Sequence, residues 1–310
     1  MTLAALPHAD NGAAAELRRG SASVRVSLAP GAPITSFVSA GSDWCGAGAW
    51  HDHAPSARAC ALPTFVAGAA GARFVDGGSL GSDQPEVEVR ADGDASTITA
   101  RWPVPSYPLA WLRTIALDQQ GALQLKYSVT NEGRTPLPFV WGLSMSCAWG
   151  AGVSVDLPRG ARARVAGSQG DGMLSAGSEF AWPSLRDGGH LVDLTHPAQL
   201  GTRRAVLCFV ELPRGRLAVR SGGAVLEVRA DPGVLTHARV WVNNGAPGES
   251  APRRSWWRRA SSPSVLAVGP TIGAPDHLSD AVGSWGAARW IESHETLSWG
   301  VGIRTLATEE

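Results

Sequence analysis

LQLKYSVT, residues 123–130, alternates without a break: Leu123, Leu125, Tyr127 and Val129 are apolar, and Gln124, Lys126, Ser128 and Thr130 between them are polar. Successive side chains on a strand point to opposite faces, so this stretch has one dry face and one wet face. On an α-helix the same residues would be scattered around the circumference. AVLEVR, residues 224–229, sets Val225, Glu227 and Arg229 against Leu226 and Val228 in the same way. Strands with one wet face belong to antiparallel sheets, whereas parallel sheets are covered on both sides.

The signal recurs along the chain. Apolar or β-branched runs bounded by turn formers occupy residues 22–28, 33–38, 85–90, 96–102, 109–117, 138–145, 153–157, 205–212, 216–220, 234–242, 265–268 and 296–306. Only the stretch after Pro275 reads as a short helix. With 37 Gly and 21 Pro in 310 residues the chain is broken into short pieces, and 44% apolar residues suffice for a core. There is no fixed-period repeat, and the Gly- and Ser-rich stretches at 167–177 and 245–252 have the length of loops rather than linkers. The expected fold class is all-β, a large antiparallel β-sandwich, with residues 1–310 as a single domain.

Lys and Arg number 27, as do Asp and Glu, so no net field draws in nucleic acid or an anionic membrane, and neither is expected as a partner. Lys126 is the only lysine, which leaves arginine with nearly all the positive charge. No apolar run approaches the length of a membrane span, and residues 1–11 lack the basic-then-apolar order of a secretory leader. A soluble, cytoplasmic monomer or homodimer is expected. Cys45, Cys60, Cys147 and Cys208 are scattered without C-x-x-C spacing, which argues against a zinc knuckle or a redox pair and reads as buried thiols. No metal and no cofactor is expected.

Residues 123–149 read LQLKYSVTNEGRTPLPFVWGLSMSCAW: a strand with Tyr127, then Thr130-Asn131, a proline turn, Pro138-Phe139 and Gly142-Leu143. In that order they resemble the central stretch of the aldose 1-epimerase (galactose mutarotase) family. AVGPTIGAPDHLSDA, residues 267–281, is similar to the family's Glu-Pro and Pro-Asp-x-Leu segment, and ETLSWGVGIRTL, residues 295–306, to its last strand. GSLGSDQPEV, residues 78–87, is a weaker likeness to its first motif. The resemblance implies a galactose mutarotase-like supersandwich whose concave cleft takes an aldose or modified sugar. Opening a pyranose ring needs a base for the anomeric hydroxyl and an acid for the ring oxygen. The resemblance assigns the base to position 269 and the acid to position 144, with a second His and an Arg near Gly78 and Ser82. Gly269 and Ser144 stand at the first two positions, and glycine cannot titrate. A serine hydroxyl is no acid near neutrality without an activating neighbour. The implied function is therefore carbohydrate-active with altered chemistry, including elimination or cyclisation of a modified sugar; the alternative is a non-catalytic sugar-binding or regulatory module.

Other residues are candidates for that chemistry. WHDH, residues 50–53, sets His51, Asp52 and His53 together. Imidazoles titrate near neutral pH and Asp52 can raise their basicity, but two histidines make an incomplete metal site, and a solvated loop is the competing reading. Asp83, beside Glu86, is a candidate acceptor for sugar hydroxyls. Trp141 is expected near the concave face with Trp44, Trp50, Trp111 and Trp149, and Ser144 beside it. Asp276 either binds sugar or caps a turn. RRSWWRR, residues 253–259, includes Arg254 and Trp257. Its guanidinium forks suit a phosphate or carboxylate and its indoles suit a pyranose face, against a surface loop of arginine stems on tryptophan. Were this loop at the cleft, an anionic sugar would be favoured. His190, Asp193 and His196 form a lesser group, and Glu211 and His237 read as residues of a strand face.

Overall fold

The computed structural model describes residues 6–7, 13–45, 62–63, 84–92, 95–102, 108–147, 152–169, 174–187, 189–201, 203–246 and 265–307. Strands β1 (Leu6–Pro7), β2 (Ala13–Arg19), β3 (Ala22–Ser27), β4 (Ile34–Ser39) and β5 (Ser42–Asp43) form a five-stranded antiparallel sheet in that order. Next come β6 (Leu62–Pro63), β7 (Glu86–Asp92), β8 (Ala95–Trp102), β9 (Leu109–Leu117), β10 (Leu123–Asn131), β11 (Leu137–Phe139) and β12 (Trp141–Cys147). β13 (Ser154–Asp156), β14 (Arg162–Gln169), β15 (Glu179–Ala181), β16 (Ser184–Asp187) and β17 (His190–Asp193) follow. Then come β18 (Arg204–Glu211), β19 (Arg216–Ser221), β20 (Ala224–Ala230), β21 (His237–Asn244) and β22 (Val265–Ile272). Helix α1 (Leu278–Val282), β23 (Arg289–Ile291) and β24 (Thr296–Ala307) close the order. Two large sheets result: eight strands in the order β13-β19-β20-β24-β10-β9-β8-β7, and seven in the order β15-β14-β18-β21-β22-β12-β6.

The alternation in residues 123–130 determines how these sheets meet. Leu123, Leu125, Tyr127 and Val129 are buried, and the residues between them are partly or fully exposed. From the other sheet Trp141, Leu143 and Met145 point back at them. The rings of Tyr127 and Trp141 lie 4.6 Å apart, and Trp299 on β24 stacks on Tyr127 at 5.6 Å. Each large apolar side chain buried here contributes about 1.5–3 kcal/mol. One inward position on β9 carries a charge: Arg113 is fully buried, donates to the Ala32 carbonyl and lies 5.2 Å over the Trp102 ring. Burial pushes its pKa down. It joins the five-stranded sheet to the sandwich.

Every run read as a strand from the sequence contains a strand, and the helix after Pro275 is α1. Several short strands were not foreseen, and β2 and β14 are the longest of them. β2 is AAAELRR and β14 is RARVAGSQ, with hardly a β-branched residue between them. Hydrogen bonding to β3 and β18 makes them strands against their local preference. The stretch from Gly167, read as a loop, begins inside β14, whose ladder with β18 continues past an irregularity between Val165 and Gly167. Among the described residues no helix is long and apolar enough to cross a membrane.

Candidate functional site

Burial of Ala238, Val240 and Val242 on β21 turns His237, Arg239 and Trp241 to the open face of the seven-stranded sheet. Register extends each into a row. Arg164, Phe209, Arg239 and Gly269 lie side by side on β14, β18, β21 and β22; Glu211, His237, Thr271 and Gly142 make the row on one side of them, and Leu207, Trp241, Ala267 and Ser146 the row on the other.

The segment after β22 folds back over this face. Gly273 has φ +76, and a Cβ there would stand 2.5 Å from the Ala287 carbonyl oxygen, so only glycine permits the turn. Thr271 Oγ1 donates to the Gly273 carbonyl at 2.9 Å, and Leu278 and Ala281 of α1 pack on Val140. The turn brings Asp276 onto Arg239, whose Nε lies 3.0 and 3.2 Å from the two carboxylate oxygens; the side chains are 13% and 14% exposed. Farther along, Trp285 meets Phe209 edge-on at 5.8 Å. The Arg164 guanidinium lies 4.3 Å over the Trp285 ring and donates to the carbonyls of Gly177 and Ser284.

Between segment and sheet is a cavity of about 610 Å³, lined among others by Arg164, Trp241, Asp276, His277, Asp280 and Trp285. This is the size range of small-molecule sites. Two indoles give it apolar surface suited to the C–H face of a ring, and the carboxylates of Asp276 and Asp280 are acceptors for hydroxyls. Nearby, His237 shares a hydrogen bond with Thr236 Oγ1 at 2.8 Å. Burial lowers its pKa, opposed by the Glu211 carboxylate opposite and reinforced by Arg162, so its imidazole is neutral near pH 7. On the core side of the same sheet burial pushes the Cys208 thiol up to about 12, which removes it as a nucleophile.

The two positions assigned to ring-opening acid and base face each other in the β12–β22 register, although the ladder is interrupted at Leu143 and Ser144. Pro270 has no N–H to contribute there. A Cβ on Gly269 would lie 1.7 Å from the Leu143 carbonyl oxygen, so position 269 has no room for any side chain as the strands stand.

Of the residues singled out in the sequence, Asp276 lines the cavity. It is not a helix cap: the N-cap of α1 is His277, with no side-chain cap bond, and Asp276 serves Arg239 instead. Ser144 is partly exposed on the open face and does not line the cavity. Trp141 corrects an expectation. It is 1% exposed inside the core because the inward phase of β12 is Trp141, Leu143 and Met145, and Trp44 and Trp111 are buried in the same core. His51, Asp52, His53, Asp83, Arg254 and Trp257 lie outside the described residues. His190 is exposed, while Asp193 accepts from the Thr195 amide and hydroxyl as a turn former. Among the described residues no group of three or more His, Cys, Asp or Glu can hold a metal ion. Arg239 and Trp241 were missed although period two in residues 237–242 places them together; Arg164 and Trp285 left no signal, since only folding brings them together.

No protein-family model matches the chain, and no curated protein does. Solved structures share its architecture. A galactose mutarotase-like protein from Clostridium acetobutylicum superposes with a TM-score of 0.68 at 10% identity, over 99% of each chain. A galactose mutarotase-like protein from Lactobacillus casei gives 0.59 at 15%, over 94% of this chain and 100% of that one. A galactose mutarotase related enzyme from Lactobacillus acidophilus gives 0.62 at 15%, over 96% and 98%. Sequence motifs in order along residues 123–306 and superposition over nearly the whole length agree: the chain has the galactose mutarotase-like β-sandwich fold.

Proposed function

We propose that this chain is a carbohydrate-active protein that binds an aldose or modified sugar in the cavity beneath the segment after β22, and that it does not open the ring with the acid/base pair of aldose 1-epimerases. One observation carries the reading: a cavity with two indoles and carboxylate acceptors lies one strand from position 269 and two from position 144, where the crowded Gly269 and Ser144 supply neither base nor acid. The charges that line the cavity favour a neutral sugar. Asp276 is paired with Arg239, and the remaining charges of Arg164 and Asp280 are opposite in sign, so the lining offers no net positive charge to an anion.

The test is a panel of neutral and phosphorylated aldoses, with binding followed by calorimetry and anomer exchange by polarimetry. A neutral sugar is expected to bind saturably while anomers exchange at the buffer rate, and Trp241→Ala is expected to cost about 1 kcal/mol, roughly fivefold in Kd. Failure of every sugar to bind overturns the proposal. A second reading, catalysis by a different base, is favoured by the neutral His237 opposite Glu211. Accelerated exchange in the wild type that His237→Gln abolishes would establish it.

A further inference from the structure

The eight-stranded sheet has a recess of its own, on the face turned away from the core. Trp299, Val301 and Ile303 of β24 point inward, so the outward positions between them and beyond are Gly300, Gly302 and Arg304. Two successive outward glycines leave a gap roughly 7 Å long in the side-chain layer. Lys126 stands opposite Gly300, and Gln124 and Arg229 stand opposite Gly302 from either side. These residues, with Arg304, Asp118 and Asp231, wall a cavity of about 390 Å³.

Glycine within a strand costs about 0.5–1 kcal/mol relative to alanine and calls for a reason. The backbone supplies none here. Neither glycine has a left-handed φ. A Cβ at Gly300 would meet nothing nearer than the Leu125 carbonyl oxygen at 3.8 Å, and at Gly302 it would press on the Gln124 amide at 3.3 Å, which Asp118 holds. A gap of this kind within a strand marks a place where another group approaches closely.

The charges around the gap are prearranged. Glu227, 4% exposed, accepts from the Nε of Arg216, Arg229 and Arg304 at 2.8, 3.0 and 2.8 Å. Burial alone would raise its pKa, but the three guanidinium groups bring it down to about 2, so it is a permanent anion that fixes all three arginines. Held by Nε, Arg229 keeps both terminal nitrogens without an acceptor among the described residues, as does Arg304 with one of its two. The Lys126 ammonium likewise has no acceptor among them. The nearby acids accept hydrogen bonds from neutral amides, which leave their charge in place. Asp118 accepts from the amides of Gln120 and Ala122 and from Gln124, and Asp231 accepts from the amide of Gly233. Three cationic side chains thus hold unengaged donors around the gap at Gly300.

We propose that this recess binds a tetrahedral oxyanion, the phosphate or sulfate group of a small molecule or the free ion, with Lys126 and the terminal nitrogens of Arg229 and Arg304 as its donors. The ammonium acts as a point charge and the forks fix orientation. The site lies on the sheet opposite the sugar cavity and does not depend on it.

Calorimetric titration at constant ionic strength with inorganic phosphate, sulfate, glycerol phosphate and neutral glycerol tests the proposal. Saturable binding of the anions and not of glycerol is expected, about tenfold weaker in Lys126→Ala and lost in Gly300→Leu, which fills the gap. Trp241→Ala, in the other cavity, leaves it unchanged and so separates this site from the proposed sugar site. Tighter binding of glycerol phosphate than of phosphate identifies an esterified ligand, and equal binding identifies the free ion. Absence of saturable anion binding, or binding undiminished in a folded Gly300→Leu variant, overturns the proposal.

Discussion

At Gly269 the backbones of β22 and β12 approach so closely that a Cβ would lie 1.7 Å from the Leu143 carbonyl oxygen. Placing a carboxylate there takes movement of a strand, not one substitution. Gly269→Ala is expected to lower the unfolding free energy by about 3 kcal/mol, the upper range of overpacking, as read from denaturant midpoints at unchanged slope. A loss under about 0.5 kcal/mol, the range of an ordinary surface change, would show that the strands part easily. The residue types at 144 and 269 were legible in the sequence. The crowding at 269 was not, because it comes from a carbonyl 126 positions earlier in the chain. Trp141 teaches the converse lesson. It and Ser144 are an odd number of residues apart on one strand, so both could not face a cleft, and alternation read strictly along residues 141–145 would have put the tryptophan in the core.

The segment carrying α1 is a five-residue helix, too short to hold itself together, so its place depends on what it touches. Leu278 and Ala281 against Val140 anchor one side, and the Arg239–Asp276 pair anchors the other. Removing one partner of a mostly buried pair leaves the other charge uncompensated. Asp276→Asn is therefore expected to cost about 2 kcal/mol and to speed amide exchange in residues 278–282 more than in β10 or β24. Equal protection in mutant and wild type would mean that the apolar anchor suffices. β14 shows the same dependence in a strand: its arginines and alanines carry little strand preference, and pairing with β18 supplies what they lack.

For the molecule as a whole, Glu227 and His237 are foremost among the groups that bind protons less readily when folded and so contribute to acid stability. Glu227 is brought from 4.5 to about 2, so its contribution is complete above pH 4.5 and is lost as pH falls from there towards 2, on the order of 3 kcal/mol in all. His237 is lowered from 6.5 by burial; its contribution is complete above 6.5 and declines as pH falls through that value. Unfolding midpoints measured from pH 8 to pH 2 are expected to fall in two steps. His237→Gln should flatten the upper step and Glu227→Gln the lower one. An unaltered lower step in Glu227→Gln would assign acid lability to other carboxylates.

Period-two alternation is a property of neighbouring residues, so the sequence alone was enough to determine the strands of residues 109–117 and 123–130 and the antiparallel sandwich. Which face of each sheet holds a cavity depends on register and on contacts between distant segments. Arg239 and Asp276 are 37 residues apart, and Arg164 reaches the Ser284 carbonyl across 120. Such pairs are selected by how two sheets and a returning loop pack, and no local pattern records them. The three arginines around Glu227 lie between: the alternation of residues 224–229 puts Glu227 and Arg229 on one face, but Arg216 and Arg304 reach that carboxylate only because β19, β20 and β24 are neighbours in the folded sheet.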